Sequence, residues 1–511
     1  MPRRRGSRIS QHASRHHLLW QRRVARRALL SPTPWVGISV TALLLLLQAG
    51  EVNDADGASM LTVAHSLVTH GSLAIPHSAE GYLGANGHSY YSIHGIGQSI
   101  IAIPAVVLAL VLGHLVHHES ALEGLLAASL MPLVGGLIAV EVYRISRRIG
   151  GSARWSAVVA FGAIWCTYLC PYVDKVFLSE PLACLSLLWA IDALLSDRIG
   201  WASLALGLAI LTRVECVLVI PAFCLVEYFR YRGLLAEKAK LMKLVCISLG
   251  SAIAVVFTAF YDAYRFGGVA STGYPKGQYL SLRVVPTALY GLLFSSHKSM
   301  FIFAPILLIV PWALITLRAG GATEHHVFWL LTTNFVAALI AASSFSGWTG
   351  DWAWGPRLLL PGVVPLFCAV GCFGRYVERV IVSITFGLGA VVSASTLVVS
   401  TQYQQLIGST SPAVWPQYQA LPNVIRYTAQ HFRQSGQAPG TGASRHFVLI
   451  WQIGIVRELG NKGVLLALVG TLILVAVAVF ALNQLRLTTR STPKMAIVSD
   501  GAMVASTAEV R

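Results

Sequence analysis

The feature that most constrains this chain is a series of about a dozen apolar runs, each separated from the next by a short polar stretch. An α-helix needs about 20 mostly apolar residues to cross a lipid bilayer, and several of these runs approach that length. Only 12% of the residues are charged, whereas soluble domains carry roughly 25%. The pattern excludes a soluble enzyme and predicts an all-α polytopic membrane protein.

The basic residues of this chain are concentrated where a membrane anchor needs them. The net charge is +17, yet nine arginines and no acid fall within residues 1–34, directly before the first apolar run. Basic residues of this kind flank the cytoplasmic ends of spans and face anionic lipid. A basic segment before an apolar run also fits a signal peptide, but further spans follow, which favours an uncleaved first helix. We expect a cytoplasmic tail and no nucleic-acid partner.

Length and the positive-inside rule predict twelve spans with both termini in the cytoplasm. These are 35–50, 121–142, 155–171, 179–195, 201–212, 215–229, 244–261, 300–317, 327–344, 359–374, 380–400 and 463–483. A further run, 95–113, is also apolar enough to cross. Counting it as a span would place the basic residues of 144–154 and 230–243 outside. We therefore expect 95–113 to lie along the outer surface as an interfacial helix, with a thirteenth span as the alternative.

The predicted organisation follows from these spans. Its segments are a basic cytoplasmic tail (1–34), a membrane catalytic domain (35–400) with its first outer loop at 51–120, an extracytoplasmic loop (401–462), a last span (463–483) and a cytoplasmic tail (484–511). Part of the 401–462 loop is rich in Ser, Gly, Pro and Gln, which is typical of a loosely ordered cover. We expect it to act as a lid.

Three acids, Glu51, Asp54 and Asp56, stand immediately after the first span. A carboxylate at a membrane boundary loses solvation, so such residues tend to serve a task. One interpretation is a solvated loop in which Asp56 or Asn53 caps the following helix. The other is a general base, because an Asp held partly out of water can accept a proton from a hydroxyl.

Further motifs fall in order on the predicted outer face. They are GHSYYSIHGIGQSIIAIP (87–104), VFLSEPLA (176–183), FGGVASTGY with GLLFSSHKSMFIFAP (266–274 and 291–305), and WAWGPRLLLP (352–361). Together with the acids after the first span, they resemble the GT-C superfamily of polyprenyl-phosphate-sugar glycosyltransferases, which includes protein O-mannosyltransferases and aminoarabinose transferases that act on lipid A. The resemblance covers about residues 35–375 and implies a GT-C-like bundle.

The resemblance also implies an activity, namely transfer of a sugar from a polyprenyl-phosphate donor to an acceptor hydroxyl on the extracytoplasmic face, with inversion. The catalytic acid of the family falls on Asp56, with Asp54 as the alternate, and Glu180 is the further acidic candidate. Asp56 would act as the general base. The acceptor stays open between a lipid, a glycan and a protein, and the expected location is a bacterial inner membrane.

Three cations are candidates for the donor phosphate. Arg357 leads, because its planar guanidinium suits phosphate and it stands where the tenth predicted span begins. Lys298 is second, and His94 stands in a segment where many relatives have a lysine. The alternative for the Arg and Lys is that they snorkel to the interface. Arg213 and Glu215 are predicted to form a buried structural pair. The candidates for sugar or acceptor contacts are Tyr90, Tyr91, Trp354 and Lys175.

The segment from Asp54 to Asp56 also has the Asp-x-Asp form with which other transferases hold a divalent cation. Lipid monophosphate donors of the resembled kind need no metal. We therefore expect no cofactor, with a divalent cation as the alternative.

The main rival function is a multi-pass transporter or lipid flippase for a polyprenyl-linked or amphipathic substrate. A transporter is expected to hold acids and broken helices near the middle of the membrane. The acids and bases singled out here gather on one predicted outer face instead. A non-catalytic scaffold is a third reading.

Overall fold

The computed structural model describes most of the chain between Ser31 and Ser491. The described residues are 31–52, 54–79, 81–116, 119–274, 280–295, 298–350, 353–398 and 451–491. Most of the predicted basic tail 1–34, most of the loop 401–462 and most of the tail 484–511 lie outside them.

The fold consists almost entirely of helices. In chain order these are α1 (Pro32–Leu47), α2 (Ala55–His70), α3 (Ile96–Val116), α4 (Glu119–Arg148), α5 (Ala153–Trp165), α6 (Cys170–Asp174), α7 (Ser179–Leu195), α8 (Ile199–Thr212), α9 (Val219–Arg230), α10 (Glu237–Phe266), α11 (Val285–Phe294), α12 (Met300–Phe303), α13 (Val310–Arg318), α14 (Ala322–Ser344), α15 (Leu360–Leu366), α16 (Tyr376–Val398) and α17 (Trp451–Ser491). Short 3-10 turns occupy His77–Ala79, Val214–Leu218, Leu282–Val284, Pro305–Leu308, Arg357–Leu359 and Phe367–Cys372. Two short antiparallel strands, β1 (Tyr82–Leu83) and β2 (Tyr90–Tyr91), lie between α2 and α3.

Six helices of the described chain are long and apolar enough to cross a membrane, namely α3, α4, α10, α14, α16 and α17. Four shorter apolar helical segments accompany them: Pro32–Leu47, Ile199–Thr212, Leu282–Phe294 and Arg357–Cys372. The chain is therefore an integral membrane protein. The count of about twelve spans and the interfacial position of α3 stay predictions, because α3 has the length and apolarity of a span.

Several predicted segments differ in detail from the observed helices. The predicted span 155–171 is divided between α5 and α6, and 3-10 turns occupy the start of 215–229 and the end of 359–374. The region 300–317 is divided into α12, a 3-10 turn and α13, because Pro305 and Pro311 supply no backbone N–H to a continuous helix. Helix α17 begins at Trp451, upstream of the predicted start at 463. The Trp451 amide donates to the Gln48 carbonyl at the end of α1, which holds the start of α17 against that helix.

The packing of the helices brings four chain segments to one end of the bundle. Helix α1 packs against α4 and α17, α7 packs against α8, and α8 packs against α10. Close helix contact at the α8–α10 crossing requires glycine, since a Cβ on Gly250 would come within 2.2 Å of the Ser203 carbonyl oxygen. The start of α2, the start of α7, the end of α8 and the turn before α15 contribute the charged residues described next.

Candidate active site

Asp54 forms the N-terminal cap of α2. Its Oδ1 accepts from the Gly57 amide at 2.5 Å and its Oδ2 accepts from the Phe177 amide at 2.9 Å. The alternative in which Asp56 caps this helix is wrong, because Asp56 lies inside the first turn. Burial raises the pKa of Asp54 to about 6, although the two backbone hydrogen bonds oppose the rise. Asp54 therefore ties the start of α2 to the segment before α7.

Each carboxylate oxygen of Asp56 has a basic side chain as its neighbour. Arg357 Nη1 donates to Asp56 Oδ2 at 2.9 Å, and His94 Nε2 lies 3.5 Å from Asp56 Oδ1. The Asp56 side chain is 29% exposed, so it is sheltered yet open to an incoming group. Burial by itself would raise the pKa of Asp56, but His94 and Arg357 outweigh it and hold this pKa below the ordinary range. Asp56 is therefore ionised at neutral pH.

Arg357 lies between two carboxylates from different parts of the chain. Besides its bond to Asp56, its Nε lies 3.7 Å from Glu180 Oε1. Glu180 is in the first turn of α7, and its side chain is only 2% exposed. The backbone turn at Gly350 passes close to this arginine, since a Cβ on Gly350 would lie 2.9 Å from Arg357 Cγ. The arginine side chain is thus confined by its surroundings.

Arg213 extends the group on the other side of Glu180. Arg213 Nη1 lies 2.6 Å from Glu180 Oε1, and its guanidinium also pairs with Glu215. The predicted pairing of Arg213 with Glu215 is present, but the pair is not buried, since the Glu215 side chain is 36% exposed, and its connection to the site through Glu180 was missed. We use the name charge cluster for Asp56, His94, Glu180, Arg213 and Arg357.

Tyr274 borders the charge cluster. Burial raises its pKa to about 12, and the charges of Arg213, Glu215, Asp56 and Arg357 all act on its hydroxyl. The TGY sequence at 272–274 is part of a motif noted above, and this was the available signal for placing Tyr274 here. The neutral phenol adds a hydrogen-bond donor and acceptor beside the ions.

His94 is held in place by its neighbours' backbone contacts. The Arg265 guanidinium at the end of α10 donates to the carbonyls of Ser92 and His94. Two glycines allow the following turn to press on the end of α8: a Cβ on Gly95 would come within 2.6 Å of the Leu211 carbonyl oxygen, and Gly97 is similarly close to Thr212. These contacts hold the backbone on both sides of His94, whose ring Nε2 lies 3.5 Å from Asp56 Oδ1.

Lys298 and Trp354 support the turn that carries Arg357. Lys298 Nζ donates to the carbonyls of Ala353 at 2.6 Å and Gly355 at 3.3 Å. Trp354 is 1% exposed, its ring packs on Phe303 with centroids 5.1 Å apart, and its carbonyl accepts from the Tyr172 hydroxyl. The structure thus places Lys298 behind the turn and Trp354 in the core. The predicted phosphate and sugar contacts of these two residues stay untested.

The other predicted sugar or acceptor ligands have different neighbours. Lys175 is 1% exposed, contacts the Leu47 carbonyl and lies 3.4 Å from Asp174 Oδ2. The Tyr90 ring packs on His77, and the Tyr91 ring packs on Tyr264 and Phe266. The charge cluster thus gathers four predicted site residues, Asp56, His94, Glu180 and Arg357.

The Asp54–Asp56 pair does not fit a divalent cation in this structure. Both Asp54 oxygens accept from backbone amides, whereas both Asp56 oxygens face Arg357 and His94. A cation chelated by the two carboxylates would have to replace these contacts. Over the part of the chain that the structure describes, no group of three or more His, Cys, Asp and Glu residues could hold a metal ion.

Comparison with known proteins gives structural neighbours only. No family model and no curated protein matches the chain. The structure is similar to the apo oligosaccharyltransferase of Archaeoglobus fulgidus, with 11% identity and a TM-score of 0.42 over 80% of this chain and 61% of that one. It is also similar to ArnT from Cupriavidus metallidurans bound to undecaprenyl phosphate, with 15% identity and a TM-score of 0.43 over 89% of this chain and 75% of that one. Archaeal AglB from Archaeoglobus fulgidus, in complex with an inhibitory peptide and a dolichol-phosphate, gives 12% identity and a TM-score of 0.43 over 80% of this chain and 61% of that one.

Two of these neighbouring structures hold a lipid phosphate, a dolichol-phosphate in AglB and undecaprenyl phosphate in ArnT. The chain spans only 61% of the length of the oligosaccharyltransferase. With identities of 11–15% and TM-scores of 0.40–0.43, the likeness does not establish an activity for this chain. Its activity has to be argued from its own residues.

Proposed function

We propose that this chain is a membrane glycosyltransferase that moves a sugar from a polyprenyl-phosphate donor to an acceptor hydroxyl. The observation that carries the proposal is the 2.9 Å contact between Asp56 and Arg357. An ionised carboxylate and a guanidinium at one sheltered place provide the two things this transfer needs, a base for the acceptor and a ligand for the leaving phosphate. Both residues belong to the motifs on which the family resemblance rests.

The chemical step is a single displacement. The acceptor hydroxyl oxygen attacks the anomeric carbon, its proton passes to an oxygen of Asp56, and the bond from that carbon to the phosphate oxygen breaks. Polyprenyl phosphate leaves with the electron pair. Because one displacement occurs at the anomeric carbon, its configuration inverts. Asp56 suits the base role, since its depressed pKa keeps it in the carboxylate form before the acceptor arrives.

Arg357 is the proposed phosphate ligand. A guanidinium carries five N–H donors in a planar fork and can contact a carboxylate and a phosphate together. A phosphate on Arg357 would share the positive charge that otherwise stabilises ionised Asp56. Donor binding would then raise the proton affinity of Asp56 and make it a stronger base at the moment of attack.

The remaining members of the charge cluster, and Tyr274 at its border, act on these two groups. Glu180 contacts Arg357 and Arg213, so it fixes the plane of the Arg357 guanidinium. His94 contacts the Asp56 oxygen that Arg357 does not use, and it adds positive charge whenever its ring is protonated. Tyr274 supplies a neutral hydroxyl beside them.

The setting of the reaction is part of the proposal. We propose that the charge cluster lies on the extracytoplasmic face of a bacterial inner membrane, with both termini in the cytoplasm, and the positive-inside charge distribution of the sequence supports this orientation. The acceptor would be a lipid, a glycan or a protein, and Tyr90 and Tyr91, in the same outer loop as Asp56, are candidates for holding the acceptor or the sugar. No cofactor is required.

The test is sugar transfer in membranes that contain the protein and their own polyprenyl-phosphate sugars. We expect Asp56→Asn to reduce both the glycosylated product and the release of polyprenyl phosphate by about 100-fold or more. Glu51→Gln is the matched control, because it neutralises another acid of the same loop that lies outside the charge cluster. Undiminished transfer by correctly inserted Asp56→Asn protein would overturn the proposal.

A further inference from the structure

A second candidate binding site lies on the outside of the bundle, between α8 and α10. It is a groove of about 530 Å³, and its lining includes Leu204 of α8 and Met242, Lys243, Cys246 and Leu249 of α10. Leu204, Met242 and Leu249 are 53%, 58% and 55% exposed, so the groove opens outward to the surrounding lipid. Most of its lining side chains therefore do not belong to the buried core of the bundle.

The groove exists because small residues bring the two helices into contact beside it. The Gly250 amide donates to Ser203 Oγ at 2.8 Å, and a Cβ on Gly207 would come within 2.7 Å of the Gly250 carbonyl oxygen. Glycines at a helix crossing leave a hollow where larger side chains would fill the surface. The long apolar side chains on either side form its walls.

The groove and the charge cluster lie at opposite ends of α8. The groove reaches Ile199, the first residue of α8, whereas Arg213 follows its last residue. A helix of 14 residues is about 20 Å long at 1.5 Å per residue. A ligand phosphate at the groove would therefore lie at the other side of the membrane from Asp56.

The end of the groove nearest Ile199 carries excess positive charge. Residues 230–243 contain five Lys and Arg and a single acid. Among the described residues, no carboxylate lies within ion-pair distance of the Lys243 ammonium, which sits 4.1 Å from the Tyr231 ring centroid. By contrast, Arg230 pairs with Asp197, and Lys240 pairs with Glu237. Lys243 thus lines the groove and, among the described residues, forms no ion pair, although its charge also acts on Asp197, the acid that pairs with Arg230.

We propose that this groove binds one anionic phospholipid, with the phosphate at Lys243 and an acyl chain along Cys246 and Leu249. The apolar walls exclude a water-soluble anion as the main occupant, and the lysine favours an anionic headgroup over a zwitterionic one. The basic end is the one that the charge distribution assigns to the cytoplasmic leaflet, where anionic phospholipids are concentrated. The site is independent of the proposed transferase reaction.

The experiment is native mass spectrometry of the purified full chain, titrated with palmitoyl-oleoyl phosphatidylglycerol and with the matching phosphatidylcholine. Lys243→Gln removes the headgroup ligand, and Cys246→Trp fills the groove from an exposed position. Lys238→Gln is the matched control, since Lys238 is an exposed lysine at the same end of α10 that does not line the groove. Thermal unfolding checks that each variant is folded.

We expect the first phosphatidylglycerol to bind more tightly than phosphatidylcholine and Lys243→Gln to weaken it about fivefold. Cys246→Trp should weaken both lipids, and Lys238→Gln should change neither. Equal effects of Lys243→Gln and Lys238→Gln would overturn the proposal in favour of general surface charge. Unchanged lipid binding by Cys246→Trp would show that the lipid lies elsewhere. Displacement of the first bound phosphatidylglycerol by a lower concentration of undecaprenyl phosphate would show that a phospholipid is the wrong occupant.

Discussion

Arg357 Nη1 lies 2.9 Å from Asp56 Oδ2, although 301 positions separate the two residues along the chain. The contact joins the first turn of α2 to the turn that precedes α15. A pair so distant in sequence is maintained only if the helices between them pack in one arrangement. The proposed chemistry therefore depends on the helix packing that brings these two residues together.

Arg357→Lys tests the planar geometry of the phosphate ligand. Lysine keeps the charge but cannot contact Asp56 and a phosphate in one plane. We expect kcat/KM to fall about 10- to 100-fold, the range of one or two charge-assisted hydrogen bonds, mainly through a higher KM for the donor. Steady-state kinetics against donor concentration measure this. An unchanged KM for the donor would show that Arg357 does not bind the donor phosphate.

His94→Ala tests how the charge cluster sets the basicity of Asp56. Burial raises the pKa of Asp56, and His94 and Arg357 lower it by a larger amount. Without His94 the pKa of Asp56 rises, so the acidic limb of the kcat/KM profile should move to higher pH. His65→Ala is the control, because His65 pairs with Glu123 instead of Asp56. An acidic limb that stays in place would contradict the coupling.

Asp54→Asn tests the buried cap of α2 through stability. The pKa of Asp54 is raised to about 6, so the folded state holds a proton that the unfolded chain loses near pH 4. This contribution to stability is complete at low pH and is lost as the pH rises through about 6. We expect Asp54→Asn, which cannot ionise, to gain Tm relative to the wild type as the pH rises from about 4 to about 6, the interval between the unfolded and folded pKa values. A constant Tm difference over that range would contradict the burial of an ionisable cap.

Gly57→Ala tests the close approach of α2 to the segment before α7. The added Cβ would lie 2.6 Å from Asp54 Oδ1 and 2.6 Å from the Phe177 carbonyl oxygen. Relief of these contacts shifts backbone, and overpacking of this kind costs about 1–3 kcal/mol. We expect a lower Tm and reduced transfer. Gly387→Ala is the control, because nothing lies within 4 Å of its added Cβ, and equal Tm values for the two variants would contradict the account.

The sequence allowed Asp56, Glu180 and Arg357 to be grouped, because each stands at the outer end of a predicted span and topology puts those ends on one face. It did not reveal what each side chain contacts. Lys298 matched a motif, yet its ammonium holds the carbonyls of Ala353 and Gly355. Every residue has a backbone carbonyl, so a sequence does not show which carbonyl a lysine contacts. A lysine that contacts the backbone therefore cannot be distinguished by sequence from one that binds a ligand.

The sequence also did not reveal ion pairs that link two predicted groups through a shared residue. Arg213 and Glu215 are two positions apart, so their pairing was readable, but the 2.6 Å contact from Arg213 to Glu180 depends on how α7 packs on α8. The breaks at Pro305 and Pro311 could have been foreseen from the missing N–H groups. The membrane position of α3 could not, because its composition suits both a span and a surface helix.

The most direct test of the account separates donor binding from chemistry in purified Asp56→Asn protein. Binding of the polyprenyl-phosphate sugar would be measured first, and single-turnover transfer to the acceptor would then be followed with all donor bound. We expect donor affinity within a few-fold of wild type and transfer slowed about 100- to 10,000-fold, as for loss of a general base. Transfer at the wild-type rate with donor bound would contradict the central claim that Asp56 takes the acceptor's proton.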